Sequence, residues 1–144
     1  MKVSLDAHGI GRFGGGRTYM LPLLKTMASQ FHEVEFDVWV DTRQTKLDGL
    51  GNVTQHVLAV RNRFLARLML QLVMPILSHR RGSDIAHFMK NLTLRGVADR
   101  SVVTIYDLHP LIDPGIYPAT DVQYWRHFQP AALRRVDRII AISQ

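Results

Sequence analysis

The chain opens on an alternating apolar stretch, Lys2 to Asp6, that stops at a run of glycines, and a helical spacing of apolar residues begins only after that run. Tyr19, Met20, Leu23, Leu24 and Met27 recur three and four apart, which predicts a helix from about Thr18 to Gln30 with Pro22 in or near its first turn. Glu35 to Asp41 alternates with period two, and Val53 to Val60 has a similar make-up; both are expected strands, separated by a polar loop over 42–52. The longest apolar segment comes next. From Arg61 to Arg81, residues Phe64, Leu65, Leu68, Met69, Leu72, Val73, Ile76 and Leu77 fall on one broad face of a helix that Pro75 is expected to kink or end. Asp84 to Phe88 and Ser101 to Asp107 predict buried strands, the second with four consecutive β-branched residues. Three prolines and a glycine make 108–119 an expected irregular loop. A helix capped by Thr120 or Asp121 is predicted to reach Arg135, kinked or divided at Pro130. Asp137 to Gln144 has the pattern of one more buried strand.

Strands alternating with helices at this spacing imply an α/β fold, a Rossmann-like and mostly parallel sheet with helices on both faces. Ligands of such sheets lie beyond the carboxyl ends of the strands. Three loops then share that edge: His8 to Arg17, Phe88 to Arg95 and Tyr106 to Tyr117.

The first loop holds Gly9, Gly11, Gly14, Gly15 and Gly16, interrupted by Arg12 and Arg17. Strand, glycine loop and helix in that order let backbone N–H groups and a helix N-terminus approach an anion. The arginines add fork-shaped donors suited to phosphate oxygens, so a phosphate or diphosphate is the expected ligand in preference to a plain surface turn. Lys90 and Asn91 are polar residues of the second loop, and the third opens with Tyr106, Asp107, Leu108 and His109. An acid, a phenol and an imidazole at a strand end can serve proton transfer or hydrogen-bond a sugar hydroxyl. Asp107 can equally cap the loop's own backbone N–H groups. His8, just before the glycines, is a candidate to face the site, whereas His87 within its strand reads as a satisfied core histidine.

Composition narrows the partners. At 144 residues the chain is expected to be one domain, and 47% hydrophobic with 21% charged residues leaves no case for disorder. Without cysteine there is neither a disulfide framework nor a thiolate metal site, and the seven scattered histidines give no metal motif, so no metal is expected. No signal peptide is expected either, and a reducing, cytoplasmic setting fits. A net charge of +6 favours anionic partners. The basic residues are spread among loops and helix ends without the signature of a nucleic-acid module, so nucleic acid is not an expected partner. The 61–81 helix is basic at both ends (Arg61, Arg63 and Arg67, then His79, Arg80 and Arg81) and apolar between, the pattern of an interfacial membrane helix. Arg67 and Gln71 make it too polar to span. A core helix covering one face of the sheet is the expectation, with peripheral membrane contact as the second reading.

Gly9, Gly11 and Gly14 also spell the dinucleotide fingerprint, with Asp41 at the end of the second strand as the ribose-binding acid. The register is poor. Residues 6–8 intervene before the first glycine, two glycines come after the third, and Asp41 lies more than thirty residues from Gly9. A nicotinamide-binding or other nucleotide-binding domain is therefore the minority reading.

Several segments together resemble the N-terminal domain of GT-B glycosyltransferases of family 4. Asp6, Ala7 and His8 followed by Gly14, Gly15, Gly16, Arg17, Thr18 and Tyr19 stand where that family has Asp-Ala-Arg and a Gly-Gly-Gly-Ile-Gly-like loop. Asp84 to Phe88 is similar to its Asp-Val-x-His strand, Val102 to Leu108 to Val-Val-Thr-Ile-His-Asp-Leu, and Ala132 to Ser143 to Ala-Leu-Arg-Arg-Ala-Asp-Arg-Val-Ile-Ala-Val-Ser. The resemblance implies a two-domain, retaining transferase that takes a sugar from a nucleotide-sugar co-substrate without a metal and serves polysaccharide or glycolipid assembly. It implies that Gly14, Gly15 and Gly16 reach toward the donor diphosphate and that this domain holds the carbohydrate or glycolipid acceptor; Arg17, by its own charge and not by a family motif, is expected to assist. His8, Lys90 and Asn91 are the acceptor-side candidates; Asp107, Tyr106 and His109 are the catalytic ones. Tyr106 replaces the family's histidine, and His109 lies three positions on. The chain ends before such a domain would be complete and before any C-terminal nucleotide-sugar domain. A truncated or partial sequence, inactive alone, is expected at the cytoplasmic side, including the inner face of the membrane. A non-catalytic domain that pairs with a separate partner chain is the other alternative.

Overall fold

The computed structural model describes residues 1–10, 15–41, 47, 49–58, 60, 63–89, 99–106, 108–127 and 129–142. Among them, the β-rich stretches form six strands: β1 (Lys2–Asp6), β2 (Glu35–Val40), β3 (Val53–Val57), β4 (Ile85–Phe88), β5 (Arg100–Ile105) and β6 (Arg138–Ala141). They make one sheet in the order β3-β2-β1-β4-β5-β6, with every neighbouring pair parallel. The protein is thus α/β with a Rossmann-like sheet, as the strand and helix alternation implies.

Paired residues of a parallel ladder share a face, and here each face has its own core. Val3, Phe36 and Ile85 pair across β1, β2 and β4 on the side where α1 (Gly15–Gln30) lays down Met20, Leu24 and Ala28. On the other side Trp39, Ala86, Phe88 and Val103 pack with Met74 of α2 (Arg63–Arg80) and with Leu133 and Val136 near the end of the chain. β1, β2 and β4 are buried on both faces, so the alternation of Lys2–Asp6 and Glu35–Asp41 does not mark half-buried strands: Ser4, Asp6 and Asp37 are buried as well.

Polar pins hold these layers together. Asp37 of β2 is buried at 2% exposure, and Arg81, just past α2, donates to its carboxylate through Nε (2.9 Å) and Nη2 (3.0 Å). His56 of β3 donates Nε2–H to the same group at 2.8 Å. Burial pushes the Asp37 carboxyl up, but the hydrogen bonds from Arg81 and His56 outweigh it and hold the group below its ordinary range. Asn52, in the turn before β3, donates its amide to the carbonyls of Ala28, Phe31 and Val34 at 3.0–3.1 Å, satisfying acceptors at and beyond the last turn of α1. Asn52→Ala is expected to cost about 1–2 kcal/mol in urea unfolding. An unchanged urea midpoint would mean that water replaces the amide without penalty.

Several expectations are corrected. α1 starts at Gly15, three residues early, so Pro22 is the eighth helical residue and lies outside the first turn. It is tolerated because it is exposed, where water can satisfy the carbonyl it leaves open. Pro75 does not end α2, which continues to Arg80. Nor does the apolar face expected on α2 lie wholly against the sheet: Leu65, Met69, Leu72 and Ile76 are exposed. β3 stops at Val57 and β5 at Ile105, short of the expected ends. The stretch 108–119 is not wholly irregular. It holds a one-turn helix α3 (His109–Ile112) and a 3-10 turn (Pro114–Ile116), each with a proline among its first two residues, where no donor is needed. The next helix is divided near Pro130 into α4 (Ala119–His127) and α5 (Gln129–Leu133). β6 forms at one edge of the sheet, but its residues are exposed throughout.

Candidate functional site

The strand order places the carboxyl ends of β1, β4 and β5 side by side, and the order reverses between β1 and β4. That reversal opens a crevice in sheets of this kind. A carboxylate and a glycine shape the turn that leaves β1. Asp6, buried at the end of β1, accepts the backbone N–H of His8 on Oδ1 at 3.0 Å, and Ile10 N–H bonds the Ala7 carbonyl at 3.0 Å. Residues 7–10 therefore form a tight turn whose third residue, Gly9, has φ 90°, a conformation that favours glycine. Ile10 then dives into the core beside α1 at 1% exposure. The start of the glycine loop is thus anchored, with His8 half-buried at its tip.

Gly15 and Gly16 are the first two residues of α1 and Arg17, half-buried, is the third. The first residues of a helix carry backbone donors without intrahelical partners, so these glycines leave N–H groups approachable by an anion. Two residues on, the Tyr19 ring meets Tyr106 edge to face at a centroid distance of 5.1 Å and an angle of 85°. This contact joins the first turn of α1 to the residue just past β5. Burial pushes the Tyr106 phenol up, and Tyr19 adds to the shift, so Tyr106 is a neutral hydroxyl that can exchange hydrogen bonds but gives up its proton reluctantly.

Beneath Tyr106 on the same face, His87 of β4 and Thr104 of β5 are hydrogen-bonded at 2.9 Å between Nε2 and Oγ1. Burial pushes the His87 imidazole down to about 4, so it is neutral near pH 7. It is a core histidine with a partner, in agreement with its reading from the sequence, and it ties β4 to β5 next to the crevice.

The predicted site residues separate on these observations. Tyr106 is brought to the start of α1 by its contact with Tyr19, Arg17 lies two residues before Tyr19 on that helix, and His8 lies at the end of the central strand. His109 is exposed as the first residue of α3, with its ring 6.3 Å from that of Tyr117. Gly14, Lys90, Asn91 and Asp107 lie outside the described residues. Tyr19 and Asp6 carry no clear site signal in the sequence: Tyr19 reads there as one more apolar helix position, while an aspartate two residues before a turn is a weak signal for the cap it makes. Among the described residues no group of three or more His, Asp or Glu could hold a metal ion. No protein-family model matches the chain, and no curated protein or solved structure matches it.

Proposed function

We propose that the chain is the acceptor-side domain of a retaining glycosyltransferase of the GT-B type, family 4, acting with a nucleotide-sugar donor on a carbohydrate or glycolipid acceptor. The observation that carries this reading is the Tyr19–Tyr106 contact, which sets the glycine-opened start of α1 against the end of β5, two of the segments that carry the resemblance. The parallel sheet, with its reversal between β1 and β4, supports it further. In this reading the N–H groups of Gly15 and Gly16 and the Arg17 guanidinium meet the donor diphosphate, joined by Gly14. Tyr106, Asp107 and His109 hydrogen-bond the donor sugar or handle protons, while His8, Lys90 and Asn91 face the acceptor. A bond forms between the anomeric carbon and an acceptor oxygen as the bond to the diphosphate breaks. The negative charge that builds on the leaving group is where backbone donors and an arginine are most effective.

A dinucleotide-binding domain is the second reading. Two observations favour it: the strand order is that of dinucleotide-binding sheets, and α1 begins directly after Gly14, closer to the fingerprint than the sequence alone implies. Titration of the labelled chain with uridine diphosphate, a uridine diphosphate sugar and NAD separates the two by amide chemical shifts. The glycosyltransferase reading expects the Gly15, Gly16 and Arg17 amides to move with the diphosphate and the sugar nucleotide, and Arg17→Ala to weaken that response about tenfold. Stronger response to NAD would favour the second reading, silence toward NAD would sink it, and a diphosphate response that leaves the Gly15, Gly16 and Arg17 amides unmoved would sink the first.

A further inference from the structure

Helix α2 carries more apolar surface than the sheet covers. Met74 and Ser78 are buried against the sheet, whereas Leu65, Met69, Leu72 and Ile76 are exposed by 48%, 40%, 57% and 55%. At 100° per residue these four fall in one narrow stripe, about 16 Å long, on the side of the helix opposite Met74. The stripe runs on into charge. His79 and Arg80, the next residues in its line, are both exposed in the last turn of α2. No aspartate or glutamate occurs anywhere in the helix, within a chain of net charge +6.

We infer that α2 lies flat on an anionic lipid bilayer, with Leu65, Met69, Leu72 and Ile76 entering the boundary between headgroups and acyl chains and Arg80 meeting lipid phosphates. Charge decides between lipid and a second copy of the chain as the occupant of this stripe. Two such helices packed together would offer Arg80 no carboxylate of α2 to pair with, whereas an anionic headgroup layer complements it. The geometry is that of docking on the surface, since no helix among the described residues is long and apolar enough to cross a membrane. An apolar stripe on a cationic helix is the pattern by which helices bind in the interface plane. The inference is independent of the crevice at the strand ends.

Co-sedimentation of the chain with phosphatidylcholine vesicles, with and without phosphatidylglycerol, tests it. The expected result is recovery with the anionic vesicles, about tenfold above the neutral ones and weakened by added salt. Leu72→Gln combined with Ile76→Gln should abolish recovery while leaving the circular dichroism spectrum and urea midpoint unchanged, because both side chains are already in water. Arg80→Gln should lower recovery on anionic vesicles about fivefold. Equal partition to both vesicle types, no partition at all, or a double variant that binds like the parent would overturn the proposal. So would a concentration-dependent doubling of mass in lipid-free solution that the double variant loses, because the stripe would then belong to a second copy.

Discussion

Replacing Trp39 with alanine is expected to remove about 3–5 kcal/mol of stability, a large share of the roughly 5–15 kcal/mol that holds a domain together. Trp39 is 2% exposed and the largest side chain in the core between the sheet and α2. Its indole Nε1–H donates to Ser4 Oγ at 2.9 Å, and that oxygen lies 2.9 Å from Ser78 Oγ of α2. The ring also stacks on His56 at 4.5 Å, with 25° between the planes. One side chain therefore fills the space under α2 and ties it to β1 and β3. Trp39→Phe keeps most of the volume and loses the donor, so it should cost about 1–3 kcal/mol, less than alanine. Urea unfolding followed by circular dichroism gives both values. A loss below about 1 kcal/mol for the alanine variant would mean that the core closes over the gap.

Acidification should show His87 as a second large term. Its imidazole is held down at about 4 by burial, against an ordinary value of 6.5. Between those limits the unfolded chain takes up a proton that the folded chain refuses, so stability is full above pH 6.5 and is lost as pH falls toward 4. The loss amounts to about 3 kcal/mol, after which it levels off. Asp37 acts in a separate window. Its lowered carboxyl contributes stability above the ordinary carboxylate value that disappears only as pH falls through its own, lower one. Unfolding midpoints at several pH values, compared with those of His87→Gln, separate the two. The variant should lose the slope between pH 6.5 and 4 and keep the steeper fall below it. Parallel curves for the two proteins would show that His87 is not the group responsible.

The fold class was legible in the sequence because strand-like stretches alternate with helical spacings along the chain, the order that a parallel sheet with crossover helices requires. His87 was legible for a similar reason: it stands between Ala86 and Phe88, both buried, in a strand too short to turn a charge outward. Other features depend on neighbours that a linear pattern does not contain. β6 has the residues of a core strand, yet its side chains are exposed, and nothing in its local pattern marks that. The apolar positions of α2 fall on one broad face, yet the sheet takes Met74 and Ser78 on the other side, a choice set by partners such as Ser4 and Trp39 that the helix's own pattern does not contain. The start of α1 depends on glycines, whose freedom suits loop and helix end alike. At the candidate site, the three loops followed from the parallel alternation, but the meeting of Tyr19 with Tyr106 joins residues far apart in the chain, and spacing carries no trace of it.

The register of β1 has a consequence for how the chain folds. Val3 pairs with Phe36 on one side and with Ile85 on the other, and the second partner arrives only after β2, β3 and α2. During synthesis the first half can assemble early as a three-stranded unit with α1, but the central strand keeps one bare edge until β4 closes against it. That closure is non-local, and its chain-entropy cost falls before the contacts that reward it form. Capture of β1's second edge is therefore the slow event that commits the chain. Until it occurs, this buried central strand is exposed along one edge as a template for mispairing with other chains.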